Sequence, residues 1–209
     1  ELFGAEVEIQ GAGRTDAGVH ALGQAAHFAT DSNMDLQRLK KGVNSILPED
    51  IVVQRIEEAD ADFHARYSAR SRLYQYFIWN CAERSPFYSA YAWQQPQHLD
   101  LAAMRAAART LVGVHDFSAF QGADTKEVQP VREVKAVRLK KIKKHLIVFE
   151  IEANAFLKHM VRSIVGTLVA VGNGSMAAED FESILKKRDR SAAGMTAPSR
   201  GLFLKEVRY

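Results

Sequence analysis

The chain has 209 residues, of which 47% are hydrophobic and 25% are charged, and its formal net charge is +3 at pH 7. This composition is that of an average globular protein, and it excludes a disordered chain, a collagen-like chain and a long coiled coil. The longest apolar stretch, residues 156–171, is interrupted by Lys158, His159 and Arg162 and is shorter than the roughly 20 residues that span a bilayer. We therefore expect one large or two small globular domains and no membrane association.

Cysteine usage and the termini bear on where the protein acts. The single cysteine, Cys81, cannot form an internal disulfide or a cysteine-rich zinc site, and it suits a reducing compartment. Neither end carries a signal or transit pattern. We therefore expect a cytoplasmic protein. Because the chain opens at Glu1 without a methionine, we also expect that an N-terminal stretch is missing.

The first part of the chain predicts mostly strands. Alternation of apolar and polar residues, or dense β-branched and aromatic residues, predicts strands at 1–10, 23–30, 51–56 and 72–80. Leu36, Leu39, Val43 and Ile46 recur at helical spacing, and Pro48 ends the predicted helix. Residues 11–18 form a glycine-rich loop.

The second part of the chain mixes helices with a hairpin. Asp100 is the predicted cap of a helix that ends before Gly113, and strands at 131–139 and 146–153 form a hairpin. Further helices are predicted over 156–171, behind Asn154 as cap, and at 181–187, before a closing strand at 202–207. Hairpins with packed helices, rather than strictly alternating strands and helices, predict an α+β fold with a largely antiparallel sheet. The connection over 81–99 is the predicted domain boundary.

Basic residues are concentrated in two places. One cluster lies between residues 132 and 144, at the turn of the predicted hairpin, and comprises Arg132, Lys135, Arg138, Lys140, Lys141, Lys143 and Lys144. The other comprises Lys186, Lys187, Arg188 and Arg190. Such clusters fit a phosphate-rich partner. The alternative is a solvated turn and a basic helix C-terminus, where cations interact favourably with the helix dipole.

The segment GAGRTDAGVHA, residues 11–21, is the best candidate for chemistry. Its three glycines within eight residues allow a tight turn and a close approach to a ligand, and Arg14, Thr15 and Asp16 lie between them. A carboxylate on such a loop is placed for nucleophilic or general-base work, and a nearby arginine favours its ionised form. The spacing fits neither the dinucleotide fingerprint nor the phosphate-binding loop. The alternative is a purely structural Asp-Gly turn.

Five segments together resemble the tRNA pseudouridine synthase A (TruA) family. GAGRTDAGVHALGQAAHF resembles its catalytic signature, and FHARYSARSRLYQYFIWN at 63–80 resembles its second motif. HDFSAF at 115–120 resembles the opening of its second domain, and ANAFLKHMVRSIVGTLVAVGNG at 153–174 resembles its active-site helix. The closing GLFLKEVRY resembles its last strand. The family's strand, YDG-type segment and helix that precede the signature are absent from this chain.

The resemblance implies a fold, a reaction and a set of partners. The expected fold is two RRM-like, ferredoxin-like halves, 1–90 with the catalytic aspartate and 91–209 with the helix that carries Arg162, around a cleft. The expected reaction is isomerisation of uridine to pseudouridine on the 3′ side of the tRNA anticodon stem-loop, at positions 38–40 of the tRNA. The resemblance further implies a homodimer and no metal or organic cofactor.

The resemblance also assigns roles to five residues. Asp16 is the expected catalytic carboxylate, whether it attacks the ribose or the base or removes a ribose proton, and Arg162 is its expected ion-pair partner. Arg14 is expected to contact phosphate or to help flip the target nucleotide, Tyr74 to stack on the base, and Leu202 to contact it. From the residues alone, Arg14 could be a surface arginine, Arg162 a snorkelling surface residue and Leu202 simply part of the core. Tyr76, on the same strand face as Tyr74, is predicted to be a core residue.

Four histidines and two other functions complete the predictions. His20, His27, His64 and His159 fit no zinc spacing and are predicted to be loop, RNA-facing or structural residues. The alternative function is a non-catalytic RNA-binding protein of the same fold. The combination of Asp16, Tyr74 and Arg162 argues against it, because a protein that only binds RNA needs no nucleophile. A nucleotide-binding hydrolase lacks the lysine and metal-binding acids that phosphoryl transfer needs.

Overall fold

The computed structural model describes residues 6–122 and 129–209. These residues divide into two compact units: unit 1 contains 6–13 and 25–68, and unit 2 contains 14–24, 69–122 and 129–209. The division predicted at residue 90 stays a prediction. No helix within the described ranges is both long enough and apolar enough to cross a bilayer.

The chain forms nine strands and four α-helices in the described ranges. The strands are β1 (Gln10–Gly11), β2 (His20–Ala21), β3 (Ala26–His27), β4 (Ser71–Asn80), β5 (Trp93–Gln95), β6 (Gly113–Asp116), β7 (Val131–Lys141), β8 (Leu146–Ala153) and β9 (Leu202–Arg208). The helices are α1 (Leu36–Ile46), α2 (Leu101–Arg109), α3 (Met160–Gly172) and α4 (Ala178–Lys187). Short 3₁₀ turns cover Ser118–Phe120 and Ser199–Gly201.

Unit 2 is built on one seven-stranded sheet. Its order is β2-β9-β4-β8-β7-β6, and β5 pairs with the end of β4. The β9–β4, β4–β8, β8–β7 and β7–β6 pairs are antiparallel, whereas β2–β9 and β4–β5 are parallel. The predicted α+β fold with a largely antiparallel sheet is therefore confirmed, as are the hairpin of β7 with β8 and the closing strand β9.

The core lies on one face of this sheet. Ile147, Phe149 and Ile151 of β8 are at most 1% exposed and pack in one cluster with apolar residues of α2, α3 and α4. On the opposite face of β8, Glu150 accepts a hydrogen bond from the Gln75 side chain (2.6 Å) and Glu152 one from Ser71 Oγ (2.7 Å). The alternation of apolar and acidic residues along β8 thus corresponds to its two faces, as predicted.

Unit 1 confirms the first predicted helix and corrects three predicted strands. The side chain of Asp35 caps α1 by accepting from the backbone N–H of Gln37 and of Arg38. The ladder of β1 with β3 joins only two residue pairs, so the described part of the strand predicted at 1–10 and the strand at 23–30 shorten to Gln10–Gly11 and Ala26–His27. The strand predicted at 51–56 is wrong. The Asn44 side chain bonds both the N–H and the C=O of Val53 and so takes the place of a neighbouring strand.

The predicted start of α3 is also wrong. The helix begins at Met160 rather than Phe156, and Asn154 does not cap it. The Asn154 side chain instead accepts from the backbone N–H of Glu133 in β7 and from that of Ala155 (3.1 and 2.7 Å). Asn154 is therefore committed to the end of the hairpin, and the chain turns once more before the helix starts. In contrast, Asp100 caps α2 as predicted.

Tyr76 is a core residue, as predicted, and its burial makes the protein less stable at alkaline pH. Its ring is fully buried and its hydroxyl donates to the carbonyl oxygen of Pro198 (2.7 Å). Burial, more than the opposing charges of Arg162 and Arg200, raises the pKa of Tyr76 far above its ordinary 10.0. The folded chain therefore keeps this proton where the unfolded chain loses it, and the free energy of unfolding falls as the pH rises above about 10.

We expect Tyr76→Phe to remove most of this decrease in the free energy of unfolding at alkaline pH. Below pH 10 the variant should be about 1 kcal/mol less stable, because the hydrogen bond to Pro198 is gone. Above pH 10 that difference should shrink, since one ionising group contributes up to about 1.4 kcal/mol per pH unit. Urea unfolding of both proteins at pH 8, 10 and 11 measures it. A difference that stays constant with pH would contradict the assignment.

Candidate active site

Asp16 lies in a tight turn at the edge of the sheet of unit 2. The N–H of Val19 donates to the carbonyl oxygen of Asp16 (3.0 Å), and Gly18 inside this turn has φ +77°. A side chain at Gly18 would be strained, and its Cβ would come within 2.8 Å of Ser199 Oγ. Immediately after the turn, β2 pairs in parallel with β9. The glycine and the strand pairing together fix the position of Asp16.

Arg162 pairs with Asp16 in unit 2. Its Nη1 donates to Asp16 Oδ2 (2.7 Å), and its Nε donates to the carbonyl oxygen of Ala197 (2.8 Å). The two side chains are 16% and 29% exposed, so the pair is shielded from water but still reachable. Arg162 stands in the first turn of α3, where a positive charge is unfavourable to the helix dipole. Its position is thus explained by Asp16 rather than by helix stability.

The segment around Thr196 packs against α3 and contacts the backbone of Arg162. The N–H of Ala197 donates to the carbonyl oxygen of Arg162 (3.1 Å), and a Cβ on Gly166 would come within 1.7 Å of the Met195 carbonyl oxygen. Arg190 bonds the Thr196 hydroxyl and the carbonyl oxygens of Gly194 and Gln121, as it donates from Nη2 (3.1 Å), Nη1 (3.3 Å) and Nε (3.1 Å) respectively. The sequence grouped Arg190 with phosphate-binding cations, but its hydrogen bonds give it a structural role.

His159 is the site residue that the sequence did not single out as a catalytic candidate. Its Nε2 lies 3.4 Å from Asp16 Oδ2, and its side chain is 25% exposed. Its backbone has φ 62°, in the left-handed region. The available signal was spacing: His159 precedes Arg162 by three residues, and residues three apart share one side of a helical turn.

Tyr74 lies near the carboxylate, and Leu202 lies in the core beneath. Tyr74 is half-buried, and its ring lies nearly perpendicular to that of Phe156 with 5.0 Å between the ring centroids. Burial raises the pKa of Tyr74, Arg72 opposes this, and the nearby Asp16 carboxylate raises it further. Tyr74 is therefore a neutral phenol at physiological pH. Leu202 is 6% exposed and pairs with Tyr76 across β9 and β4, two positions from Tyr74.

Arg14 makes no hydrogen bond or ion pair with this group among the described residues. It is exposed, and it forms no ion pair with any residue of the described ranges. The structure therefore brings together Asp16, Arg162 and His159, places Tyr74 close by, and does not show what Arg14 contacts.

The other histidines that the sequence singled out serve local structure. In unit 1, His27 Nδ1 accepts from the N–H of Ala65, and His64 Nδ1 accepts from that of Arg66. In unit 2, His20 stacks on Phe203 with 4.6 Å between ring centroids. Within residues 6–122 and 129–209, no three His, Cys, Asp or Glu side chains are grouped as metal ligands would be.

A partly exposed carboxylate held by an arginine can act as a nucleophile, and a neutral aromatic ring near it can stack on a nucleic-acid base. The chain belongs to the tRNA pseudouridine synthase family, whose model matches residues 2–68 and 107–209. The family is one of isomerases, and the resemblance seen in the sequence is confirmed.

Three relatives illustrate the similarity, each named tRNA pseudouridine synthase A. The protein of Thermoanaerobacter sp. (strain X514) is 43% identical over 209 residues, all of this chain and 85% of its own. That of Geobacillus kaustophilus is 42% identical over 206 residues, 99% of this chain and 80% of its own. That of Chloroflexus aurantiacus is 46% identical over 201 residues, 95% of this chain and 72% of its own.

Proposed function

We propose that this protein converts uridine to pseudouridine in the anticodon stem-loop of tRNA, with Asp16 as the catalytic carboxylate. The observation that carries the proposal is the ion pair of Asp16 and Arg162, formed by the two segments that resemble the family's signature and its active-site helix. The reaction is an isomerisation: the bond from C1′ to N1 breaks, a bond from C1′ to C5 forms, C5 loses a proton and N1 gains one. Atoms and electrons balance without a co-reactant.

The proposal gives each site residue a task. Arg162 orients Asp16 through a charge-assisted hydrogen bond, which a carboxylate at the ribose–base junction requires. Tyr74 is neutral and half-buried, so its ring offers an apolar face to an uncharged base, and such stacking contributes roughly 1–3 kcal/mol. Leu202, which is 6% exposed and pairs with Tyr76 in the sheet, is the proposed apolar contact of the base. Arg14 is exposed and free to contact a backbone phosphate when the nucleotide is flipped out.

The deciding experiment maps pseudouridine in an unmodified tRNA transcript that has been incubated with the full-length protein, without added metal or cofactor. Conversion on the 3′ side of the anticodon arm supports the proposal. Conversion only elsewhere in the tRNA would support pseudouridine synthesis but contradict the anticodon stem-loop as its target. Binding without conversion would favour the non-catalytic RNA-binding alternative. We also infer, from the family resemblance, a cytoplasmic homodimer, and sedimentation of the purified protein measures its oligomeric state.

The hairpin of β7 and β8 offers a basic surface for the tRNA. Lys140 is 3.5 Å from Glu150, and Lys143 donates to the Tyr88 hydroxyl (3.1 Å), so these two lysines have partners within the protein. Lys141 and Lys144 are exposed and have no ion pair within the part of the chain that the structure describes. We therefore infer that Lys141 and Lys144 are the hairpin lysines most available to phosphates.

We expect the double variant Lys141→Ser, Lys144→Ser to bind tRNA more weakly and with less salt dependence. Each phosphate contact that is lost should reduce the slope of log K against log salt by about 0.7–0.9. The matched variant Lys140→Ser, Lys143→Ser removes the same charge and should change the slope less. Filter binding between 50 and about 300 mM salt measures both. Unchanged affinity and slope in the first variant would mean that the hairpin is merely solvated.

A further inference from the structure

We propose that His159 is a positioning residue that, together with Arg162, holds one oxygen of Asp16 and leaves the other oxygen for the substrate. The inference rests on the proposed function, since it explains how the catalytic carboxylate is aimed. It assigns a role in the reaction to a histidine whose sequence context predicted only a loop, RNA-facing or structural residue.

The contacts on Asp16 are one-sided. Arg162 Nη1 and His159 Nε2 both lie against Oδ2, at 2.7 and 3.4 Å. For Oδ1, the described residues provide no hydrogen-bond or ion-pair partner. The Arg162 hydrogen bond and the His159 ring nitrogen meet the same oxygen, and together they restrict rotation of the carboxylate about its Cβ–Cγ bond more than Arg162 alone would. The carboxylate, with 29% of its side chain exposed, is then presented with Oδ1 free.

The backbone of His159 has an uncommon conformation. Among the described residues, His159 and Arg188 are the two non-glycine residues with positive φ, a conformation that few non-glycine residues adopt, although histidine, asparagine and aspartate adopt it more readily than the others. Strained positions that persist are concentrated at functional sites. A glycine here would form the same turn without strain, so the turn alone does not explain a histidine.

Helix capping does not explain the histidine either. His159 occupies the N-cap position of α3, yet its side chain makes no capping hydrogen bond. Serine, threonine, asparagine or aspartate would satisfy a free N–H there and stabilise the helix. The ring is directed instead to Asp16. The left-handed backbone, the absent cap and the contact with Oδ2 are all explained if the ring serves the carboxylate.

Three substitutions separate positioning from structure. His159→Gly removes the ring and relieves the left-handed backbone. His159→Asn also tolerates this backbone conformation, but its side chain is too short to contact Asp16. His159→Gln keeps an N–H donor at a similar distance from the backbone. In single-turnover assays with saturating tRNA, we expect the Gly and Asn variants to be about 10- to 100-fold slower, because a small misplacement of a reacting group can cost up to about 100-fold in rate. We expect the Gln variant to recover to within about threefold of wild type, with tRNA affinity unchanged in all three.

The outcomes decide between roles. Thermal unfolding should show the Gly variant to be at least as stable as wild type, so that a slower rate cannot be a folding defect. Gly and Asn variants that turn over as fast as wild type would overturn the proposal. A Gln variant as slow as the Gly variant would also overturn it, because the ring would then act by filling space rather than by donating.

A second measurement is independent of the reaction. In the free protein, the ring nitrogen signals of His159 in an NMR spectrum should shift on Asp16→Asn, while those of His145, which bonds the Asn80 carbonyl oxygen, should not. If wild type makes no pseudouridine, the proposed function fails whatever the NMR shows. If wild type is active and the His159 signals do not shift on Asp16→Asn, the positioning role is contradicted but the proposed function is not.

Discussion

Asp16→Asn is expected to reduce pseudouridine formation by roughly 1,000-fold or more, the scale that removal of an enzymatic nucleophile gives. The amide keeps the shape of the side chain but cannot carry the negative charge that the reaction needs at the ribose–base junction. It also leaves Arg162 without its counter-ion, although Arg162 keeps its bond to the Ala197 carbonyl oxygen. Affinity for tRNA should stay within a few fold, because phosphate contacts supply most of it.

The matched control for this variant is Asp100→Asn. Asp100 is also in unit 2, and its carboxylate caps α2, a task that asparagine performs about as well. This control loses the same charge and should retain full activity. Single-turnover rates and tRNA binding, measured on both variants and on wild type, separate chemistry from affinity. An Asp16→Asn enzyme within tenfold of wild type would remove Asp16 from the chemistry.

Most of the fold was predictable from local sequence patterns, namely helix caps, helical periods and alternating strands. Helix α2 is predictable because Asp100 is a strong cap and the apolar residues behind it keep a helical period. Strand β8 is predictable because its apolar and acidic residues alternate along the hairpin. In both elements, the local preference and the tertiary packing agree.

The wrong elements are those in which a distant side chain competes with the local pattern. The apolar residues at 51–56 look like a strand, but Asn44 on α1 takes both backbone groups of Val53. Asn154 looks like a helix cap, but its oxygen bonds the backbone of Glu133 on the neighbouring strand. Hydrogen bonds of this kind depend on which segments meet in space, and periodicity carries no information about that.

The candidate site was predictable in its members more than in its geometry. The family resemblance named Asp16 and Arg162, and the structure brings them to 2.7 Å. Nothing in the sequence could show that Arg190 braces the Gly194–Thr196 segment, or that His159 adopts a left-handed backbone against Asp16. These features depend on the packing of residues 190–197 against α3, which brings together residues some 30 positions apart.

We expect Arg162 to contribute to turnover because its guanidinium group binds two acceptors at once. Nη1 holds Asp16 Oδ2 while Nε holds the Ala197 carbonyl oxygen, so the planar group is fixed between the carboxylate and the chain behind it. Arg162→Met keeps the stem but removes every donor and leaves Asp16 without its cationic partner. We expect the single-turnover rate to fall on the order of 100-fold, comparable to the loss of one preorganised donor at a reacting group.

The Lys variant tests whether charge alone is enough. A lysine ammonium supplies the charge but not the rigid planar fork, so it can hold Asp16 or Ala197 well but not both in the same geometry. Arg162→Lys should therefore be faster than the Met variant and slower than wild type. Arg109→Met, on the exposed surface of α2, removes one positive charge elsewhere in unit 2 and should leave the rate unchanged.

Chemical rescue completes the argument. In Arg162→Ala, the shortened side chain leaves room for a small cation, and added ethylguanidinium should restore part of the rate, whereas ethylammonium should restore less. Rescue by the planar cation with tRNA affinity unchanged would show that Arg162 acts on the carboxylate. A Met variant as fast as wild type, or a rate loss fully accounted for by weaker tRNA binding, would instead make Arg162 a phosphate contact. In that case the orientation of Asp16 would depend on His159, the other described residue in contact with Oδ2, and the Gly and Asn variants of His159 would slow the reaction more than Arg162→Met does.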